Sequence, residues 1–183
     1  MATTAQGLIG TYELDPHHST VQFAVRHQQI ATFRATFADV DAVLTAENGS
    51  IALNGQARIE SVSIAEPPEF REHIVRGADF FDADAHPLIT FRSTHVELEP
   101  DQTARVAGEL TIRGTTRPIT AQGTYQPVRK DPFGGYRAGL ELRATVDRRS
   151  WGLSWQMPLP DGADALGWDV EITAELELVK QDR

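Results

Sequence analysis

Apolar and polar residues alternate one by one along most of this chain, and this alternation restricts its possible folds more than any other feature. Between Arg105 and Arg113, for example, Val106, Leu110 and Ile112 share one face of an extended chain. The same period of two recurs in the segments 20–26, 105–113, 136–147 and 170–178. Because successive side chains of a strand point to opposite faces, these segments predict strands with one buried and one solvated face, which is typical of antiparallel sheets.

Weaker strands are predicted between these segments. They cover Gly10–Leu14, Thr32–Leu44, Ser50–Ile64, Pro87–Leu98 and Pro118–Val128. The alternation changes phase inside the second and the fourth of them, which indicates a β-bulge that bends the strand. Asn48-Gly49 and Asp131–Gly135 have the composition of turns. Since a closing barrel requires long, bent, alternating strands, we predict an all-β fold, an antiparallel β-barrel of about eight strands.

One helical segment interrupts the strands in the first half of the chain. Phe70 and Ile74 lie four residues apart after Pro67 and Pro68, as on one face of a helix that begins at a proline. We predict a short helix over residues 68–75 that closes or flanks one end of the barrel, and consider a short helical turn near residues 28–31. A chain of 183 residues without repeats or linkers is expected to form a single domain over residues 1–183.

Composition excludes several classes of function. Acidic residues outnumber basic ones by 26 to 17, and a formal charge of −9 argues against binding to the backbone of DNA or RNA. The absence of cysteine rules out disulfides, thiolate metal sites and cysteine nucleophiles. No apolar stretch approaches the ~18 residues of a transmembrane helix, so we expect no stable membrane insertion. Residues 1–10 lack the basic and apolar segments of a secretory signal, and we expect a cytoplasmic protein.

Six histidines raise the question of a metal or acid–base site: His17, His18, His27, His73, His86 and His95. None of them belongs to a spaced ligand motif, such as two histidines four residues apart on a helix with a catalytic glutamate. The neighbours His17 and His18 would point to opposite faces of a strand. Hydrogen-bonding or surface roles are the favoured interpretation, with no catalytic residue and no metal expected. A small metal-dependent or His-based enzyme on a β-barrel scaffold is the alternative.

Several blocks of sequence, taken in order, resemble those of one protein family. The blocks are Asp15–His27, Glu69–Ile74, Asp79–Ala83, His86–Ser93, Gly108–Ile119, Asp131–Gly139 and Asp147–Gly152. Together they span about residues 10–178, and on them the chain resembles the YceI-like, polyisoprenoid-binding proteins. It departs from the family pattern at residues 32–37, which lack the usual glycine, and at residues 75–78, which replace the usual polar link.

This resemblance implies an extended, lipocalin-like barrel whose lumen holds a long apolar molecule, such as a polyprenyl lipid or an isoprenoid quinone. It implies non-catalytic binding, carriage or storage of that ligand, without a cofactor. Burial of apolar carbon contributes about 0.8 kcal/mol per methylene before ordering costs, so an apolar lumen is sufficient for affinity. The other interpretations are the His-based enzyme and a structural barrel with a filled interior. A homodimer is the further partner considered, formed through a free sheet edge or a tryptophan-rich patch.

The alternation also selects the side chains that would line the lumen. Trp155 is expected to cap its mouth, because an indole combines an apolar body with one N–H donor. Arg26 and His73 are the candidates for contacting a head group, such as a quinone carbonyl or a phosphate. Phe80 and Phe81 are both included, although two neighbours do not share one face of an extended segment. The predicted ligand-binding residues are Val21, Phe23, Val25, Phe33, Phe37, Phe70, Ile74, Phe80, Phe81, Phe91, Leu110, Ile112, Leu140, Leu142 and Trp155.

Overall fold

The computed structural model of the chain describes residues 7–182. Residues 1–6 and 183, which the predicted domain includes, lie outside the described part. The described residues form one α-helix, α1 (Pro68–Arg76), and two short 3-10 turns, Ile59–Ser61 and Arg148–Trp151. The strands are β1 (Gly10–Leu14), β2 (Thr20–His27), β3 (Ala31–Phe37), β4 (Val40–Glu47), β5 (Ser50–Arg58), β6 (Leu88–Leu98), β7 (Thr103–Ile112), β8 (Thr115–Lys130), β9 (Tyr136–Asp147) and β10 (Leu166–Lys180).

The strands form where the sequence alternates, and their buried faces share one interior. In β7, Ala104, Val106, Leu110 and Ile112 are buried, and the residues between them are mostly exposed or half-buried. Each square ångström of apolar surface removed from water contributes roughly 25 cal/mol, which favours a sheet that curls around its apolar face. Between residues 7 and 182, no helix combines the length and the apolarity needed to cross a membrane.

Hydrogen bonding closes the sheet into a barrel. The antiparallel order is β1-β4-β5-β6-β7-β8-β9-β10, and β1 pairs again with β10 at Tyr12↔Lys180 and Leu14↔Leu178. Farther along β10, β2 takes the place of β1, and β3 pairs with β2. β1 and β2 therefore share one position in the wall, as do β3 and β4. The predicted antiparallel barrel of about eight strands with one short helix is confirmed.

Bends in the wall account for the changes of phase in the sequence. The register of β6 against β7 shifts between Ser93 and His95, as expected of a bulge. The predicted strand over residues 32–44 is divided instead, because β3 ends at Phe37 and β4 begins at Val40. The Asn48-Gly49 turn joins β4 to β5 with both residues at positive φ, the conformation of a two-residue hairpin.

Two local predictions are wrong. The strand expected to continue to Ile64 ends at Arg58, because a 3-10 turn that buries Ile59 follows it. The turn near residues 28–31 is not helical: Gln28 and Gln29 have φ values of 50° and 59°, so the chain reverses through left-handed backbone. The helix is predicted correctly apart from one added residue, Arg76.

Helix α1 lies against one end of the barrel, which we call the helix end. Its Ile74 and Val75 are buried in an apolar cluster with side chains of the barrel wall. Arg76 donates hydrogen bonds to the carboxylates of Glu60 and Asp84, which flank the helix in sequence. The helix is therefore fixed by burial on one face and by ion pairs at its C-terminal turn.

The opposite end of the barrel, which we call the far end, is filled with side chains. A cluster there contains Tyr12, Leu44, Val106 and Leu178, and none of these four is more than 1% exposed. Tyr12 and Leu178 belong to β1 and β10, the two strands that close the barrel. Closure of the sheet and filling of the far end thus depend on the same residues.

The close approach of β8 and β9 at Gly123 gives a test of the wall. A Cβ atom at Gly123 would lie 1.8 Å from the backbone oxygen of Glu141, so the two strands would have to separate. We expect Gly123→Ala to lower the free energy of unfolding by ~1–3 kcal/mol or more, measured by urea denaturation. At the control position Gly55, the nearest atom lies at 3.3 Å, and Gly55→Ala should cost less. Equal unfolding midpoints for the two variants would contradict the register.

Candidate ligand-binding cavity

An apolar cavity of about 530 Å³ lies inside the barrel between the packed far end and helix α1. Its volume is within the range of ~300–1,000 Å³ that is usual for pockets that hold small organic ligands. Six positions on the wall of the cavity carry alanine or glycine. These small residues are Ala42, Gly55, Ala57, Ala121, Ala144 and Ala174. The interior is open at this level because these side chains do not reach across it.

All of the predicted lumen residues except Leu140 lie on the cavity wall. Phe80 and Phe81 both reach it, because residues 78–81 form a turn rather than an extended segment. Ile172 and Val146 also line the cavity and are missing from the predicted set, although their strands alternate as clearly as the others. Contact of any of these residues with a ligand stays a prediction.

Two predicted site residues lie elsewhere. Leu140 is buried among the far-end side chains, and it borders a gap of only about 10 Å³ there. It shares the inward face of β9 with Leu142, but the alternation determines the face of a residue and not its depth in the barrel. Arg26 is exposed on the outer face of β2, and its Nη2 donates to the backbone oxygen of Gln29 at 3.0 Å.

At the helix end, four aromatic side chains line the cavity and are also partly exposed, and we call this group the mouth: Phe33, Phe70, His73 and Trp155. Phe70 is 43% exposed although it lines the cavity, and the side chain of His73 is 47% exposed. The rings of Phe33 and Phe70 meet edge to face with centroids 6.5 Å apart. These exposures indicate a passage between α1 and the tip of the β2–β3 hairpin.

A second group of rings forms the other side of the mouth. Phe80 stacks on Trp155 with centroids 5.5 Å apart, and the His73 ring stands edge-on to Phe80 at 5.1 Å. His73 Nε2 lies 3.2 Å from Asp79 Oδ1, which fixes the orientation of the imidazole. Trp155 lines the cavity among these rings, and its role as a cap stays a prediction.

Arg148 is the buried cation of the cavity wall, and the predicted site did not include it. It is 5% exposed, and it donates to three backbone oxygens, those of Gly167 (2.8 Å), Leu153 (2.6 Å) and Leu166 (3.2 Å). Its guanidinium lies 4.2 Å from the ring centre of Trp168, a cation–π contact. Burial lowers the pKa of Arg148 from its usual value, because the charged form loses hydration.

Among the polar side chains that border the cavity, the guanidinium of Arg148 can only donate, whereas the amides of Gln22 and Gln56 can donate and accept. Three of the five N–H groups of Arg148 are used on backbone oxygens, which leaves two for another acceptor. Asp41 also borders the cavity, but it is exposed, and its Oδ2 accepts a hydrogen bond from Gln56 Nε2 at 3.0 Å. The arrangement suits an amphipathic molecule with an apolar tail in the barrel and acceptor oxygens near Arg148.

A cluster of ionisable side chains outside the cavity has the spacing of a metal site. Ligand atoms of Asp15, His18 and Glu177 all lie within 4.8 Å of one another. Arg137 Nη1 donates to Asp15 Oδ2 at 2.7 Å and to Glu177 Oε1 at 2.5 Å, so a guanidinium supplies the positive charge there. Hydrogen bonds from His18 and Arg137 hold the pKa of Asp15 well below its usual range. This cluster joins the β1–β2 connection to β9 and β10.

The lowered pKa of Asp15 predicts a loss of stability in acid. Because the folded state holds this carboxyl ionised more strongly than the unfolded state, its contribution is complete above about pH 4 and is lost as the pH falls further. Urea denaturation at a series of pH values should therefore show a declining free energy of unfolding below about pH 4. In Arg137→Met, which removes one of the partners, the decline should be smaller. An unchanged pH dependence in this variant would contradict the assignment.

Known proteins similar to this chain in sequence or in fold cover most of its length. A family model described as the YceI-like domain matches residues 12–178. A UPF0312 protein of Pseudomonas putida strain W619 is 27% identical over 184 residues, which cover 99% of this chain and 92% of that protein. BcnA of Burkholderia cenocepacia has a similar fold, with a TM-score of 0.71 and 18% identity over 90% of this chain and 98% of BcnA.

A polyisoprenoid binding domain from Saccharophagus degradans has the same fold as well. Its structure superimposes with a TM-score of 0.65 at 12% identity, and the match covers 93% of this chain and 98% of that domain. At such identities the two solved structures support the fold alone. The match to the family model covers most of the chain, and it includes the helix, the mouth and the strands apart from the first two residues of β1 and the last two of β10.

Proposed function

Because the chain belongs to the YceI-like domain family, we propose that it binds and carries a long apolar molecule inside its barrel. The proposed ligand is an isoprenoid lipid, such as a polyprenyl lipid or an isoprenoid quinone. The Saccharophagus degradans domain of the same fold is described as polyisoprenoid binding, which supports this ligand class. The role requires neither a catalytic residue nor a cofactor.

The enclosed apolar cavity is the observation that carries the proposal. Its volume of about 530 Å³ is bounded mainly by aromatic and aliphatic side chains, and its mouth opens at one end. Each methylene group that leaves water for such a surface contributes about 0.8 kcal/mol, from which the cost of immobilising the ligand is subtracted. A tail of several isoprene units therefore has sufficient driving force for binding without a covalent or ionic link.

The donors at the helix end define the polar part of the proposed ligand. Arg148 has two N–H groups beyond its backbone contacts, and His73 lies at the mouth. Phosphate or quinone oxygens at this end would satisfy those donors, with the tail directed toward the far end. Arg148 thus takes the place of Arg26 as the candidate cation for the head group.

Blocking the cavity tests the proposal directly. Leu110 lines the cavity, and Leu110→Trp would place an indole in the space that the tail would occupy. We expect the wild type to retain a stoichiometric lipid in native mass spectrometry and the variant to lose it. The matched control is Glu109→Trp, because Glu109 is exposed on the outer face of the same strand.

The outcomes separate carriage from its alternatives. Lipid retention that is equal in both variants would overturn the assignment of the cavity as the binding site. A wild-type protein that retains no lipid, and that loses ~1–3 kcal/mol of stability in Leu110→Trp, would behave as a barrel with a filled core. Metal-dependent turnover of a small molecule would favour the enzyme instead.

The head-group assignment makes a separate prediction. A prenyl phosphate should bind the wild type about ten- to a hundredfold more tightly than a prenyl hydrocarbon of equal length, since hydrogen bonds to charged groups contribute ~1.5–3 kcal/mol. Competition against a fluorescent apolar probe measures both affinities. Equal affinities would show that the tail alone is recognised and that Arg148 has a purely structural role.

A further inference from the structure

The β2–β3 hairpin differs in charge from the rest of the molecule. Residues 16–38, which contain this hairpin and which we call the basic hairpin, include no aspartate or glutamate, whereas the whole chain carries −9. Arg26 and Arg34 are both exposed, and the pairing of Arg26 with Thr32 and of Ala24 with Arg34 places them diagonally on one face. The basic hairpin is therefore a local cationic surface on an acidic protein.

An isoleucine lies exposed at the tip of the basic hairpin. Ile30 is 78% exposed, so the packing of the barrel does not account for an apolar residue at this position. The tip is held in place, because Gln28 N donates to the backbone oxygen of Ala165 at 2.6 Å and Gln29 Nε2 donates to that of Asp164 at 2.9 Å. Met157, on the loop that these bonds reach, is 57% exposed.

The basic hairpin lies beside the mouth of the cavity. Phe33, three residues after Ile30, lines the cavity and contacts Phe70 of the helix. Exposed apolar groups on the hairpin, on α1 and on the loop of Met157 therefore all lie at the end where the cavity opens. The side chains of Ile30, Phe70 and Met157 are the most exposed apolar groups described at this end.

We infer that the helix end docks reversibly on an anionic phospholipid bilayer through the basic hairpin. Ile30 would enter the interface between head groups and acyl chains, and Arg26 and Arg34 would face the lipid phosphates. This inference goes beyond the proposed function, because it concerns a surface outside the cavity. It gives an apolar cargo a path from the membrane to the mouth that does not cross water.

Three carboxylates lie near the hairpin: Glu171 of β10, which is exposed and pairs with Ala24 on the face of Arg26 and Arg34, and two in the neighbouring loop. Asp164 Oδ2 accepts a hydrogen bond from the indole nitrogen of Trp168 at 2.7 Å, and Asp161 Oδ1 accepts one from the backbone of Ala163 at 3.0 Å. These two aspartates belong to the loop of Met157, whereas Glu171 lies directly beside the hairpin. Their charge limits the attraction, so contact should be weak and reversible, and salt should weaken it further.

The far end provides the matched control. Phe133 is 95% exposed in the turn between β8 and β9, and it is therefore as available to a membrane as Ile30. Tyr12, Leu44 and Leu178 close the barrel at that end. Docking through Phe133 would leave the mouth in water, and the inference predicts that Phe133 does not contribute.

Flotation with lipid vesicles tests the inference without any cargo. Vesicles of equal parts phosphatidylcholine and phosphatidylglycerol should bind the wild type more tightly than vesicles of phosphatidylcholine alone. We expect Ile30→Ser to reduce the partition coefficient by about fivefold or more, and Arg34→Gln by about fivefold. Phe133→Ser should leave it unchanged. Because all three side chains are exposed, thermal unfolding midpoints should match that of the wild type.

Three results would overturn the inference: no binding to either vesicle, unchanged binding in Ile30→Ser, or a loss of binding in Phe133→Ser. The last would place the contact at the far end. Since the vesicles contain no isoprenoid, the outcome is independent of ligand retention in the cavity. A protein that docks without retaining lipid would contradict carriage alone, and one that retains lipid without docking would contradict this inference alone.

Discussion

The short contact between β1 and β10 is the interaction on which the rest of the structure depends. Three residue pairs join these strands, from Tyr12↔Lys180 to Leu14↔Leu178. Without them the sheet would have two free edges and no enclosed interior. Arg137 on β9 supports the closure, because its charge-assisted hydrogen bonds link Asp15, which follows β1, to Glu177 on β10. The positive charge of Arg137 therefore helps to hold the barrel closed.

Closure alone does not determine whether a barrel is filled or empty. In a barrel of about eight strands the interior is just wide enough either for its own side chains or for one small ligand. Here the choice differs along the axis. Tyr12 and Leu44 fill the far end, whereas Ala57, Ala121 and Ala144 leave room nearer the helix. The small side chains at these wall positions contribute to the volume that the cavity occupies.

Much of the fold and part of the site could be predicted from the sequence, because the alternation of apolar and polar residues within a strand is a local signal. It identifies which side chains point inward, and the predicted lumen residues other than Leu140 do line the cavity. Leu140 shows what the alternation lacks: depth depends on the register of β9 against β10, which is set by pairing across the sheet. Ile172 on β10 also lies on the wall, and the alternation of its strand is sufficient to place it there.

The assignment of Arg26 and the omission of Arg148 show a second reason for error. Arg26 and Arg148 both stand next to apolar residues in the sequence, at the ends of strands. Arg26 follows the alternation outward, whereas Arg148 begins a 3-10 turn that carries it into the wall. Its backbone partners come from residues 153–167, and the local sequence pattern does not predict contacts of that kind.

The placement of all three tryptophans, Trp151, Trp155 and Trp168, at the helix end has a spectroscopic consequence. Intrinsic emission of this protein reports on the mouth and its surroundings, while the far end, with Tyr12 and Tyr125, is silent at the wavelengths that excite indole alone.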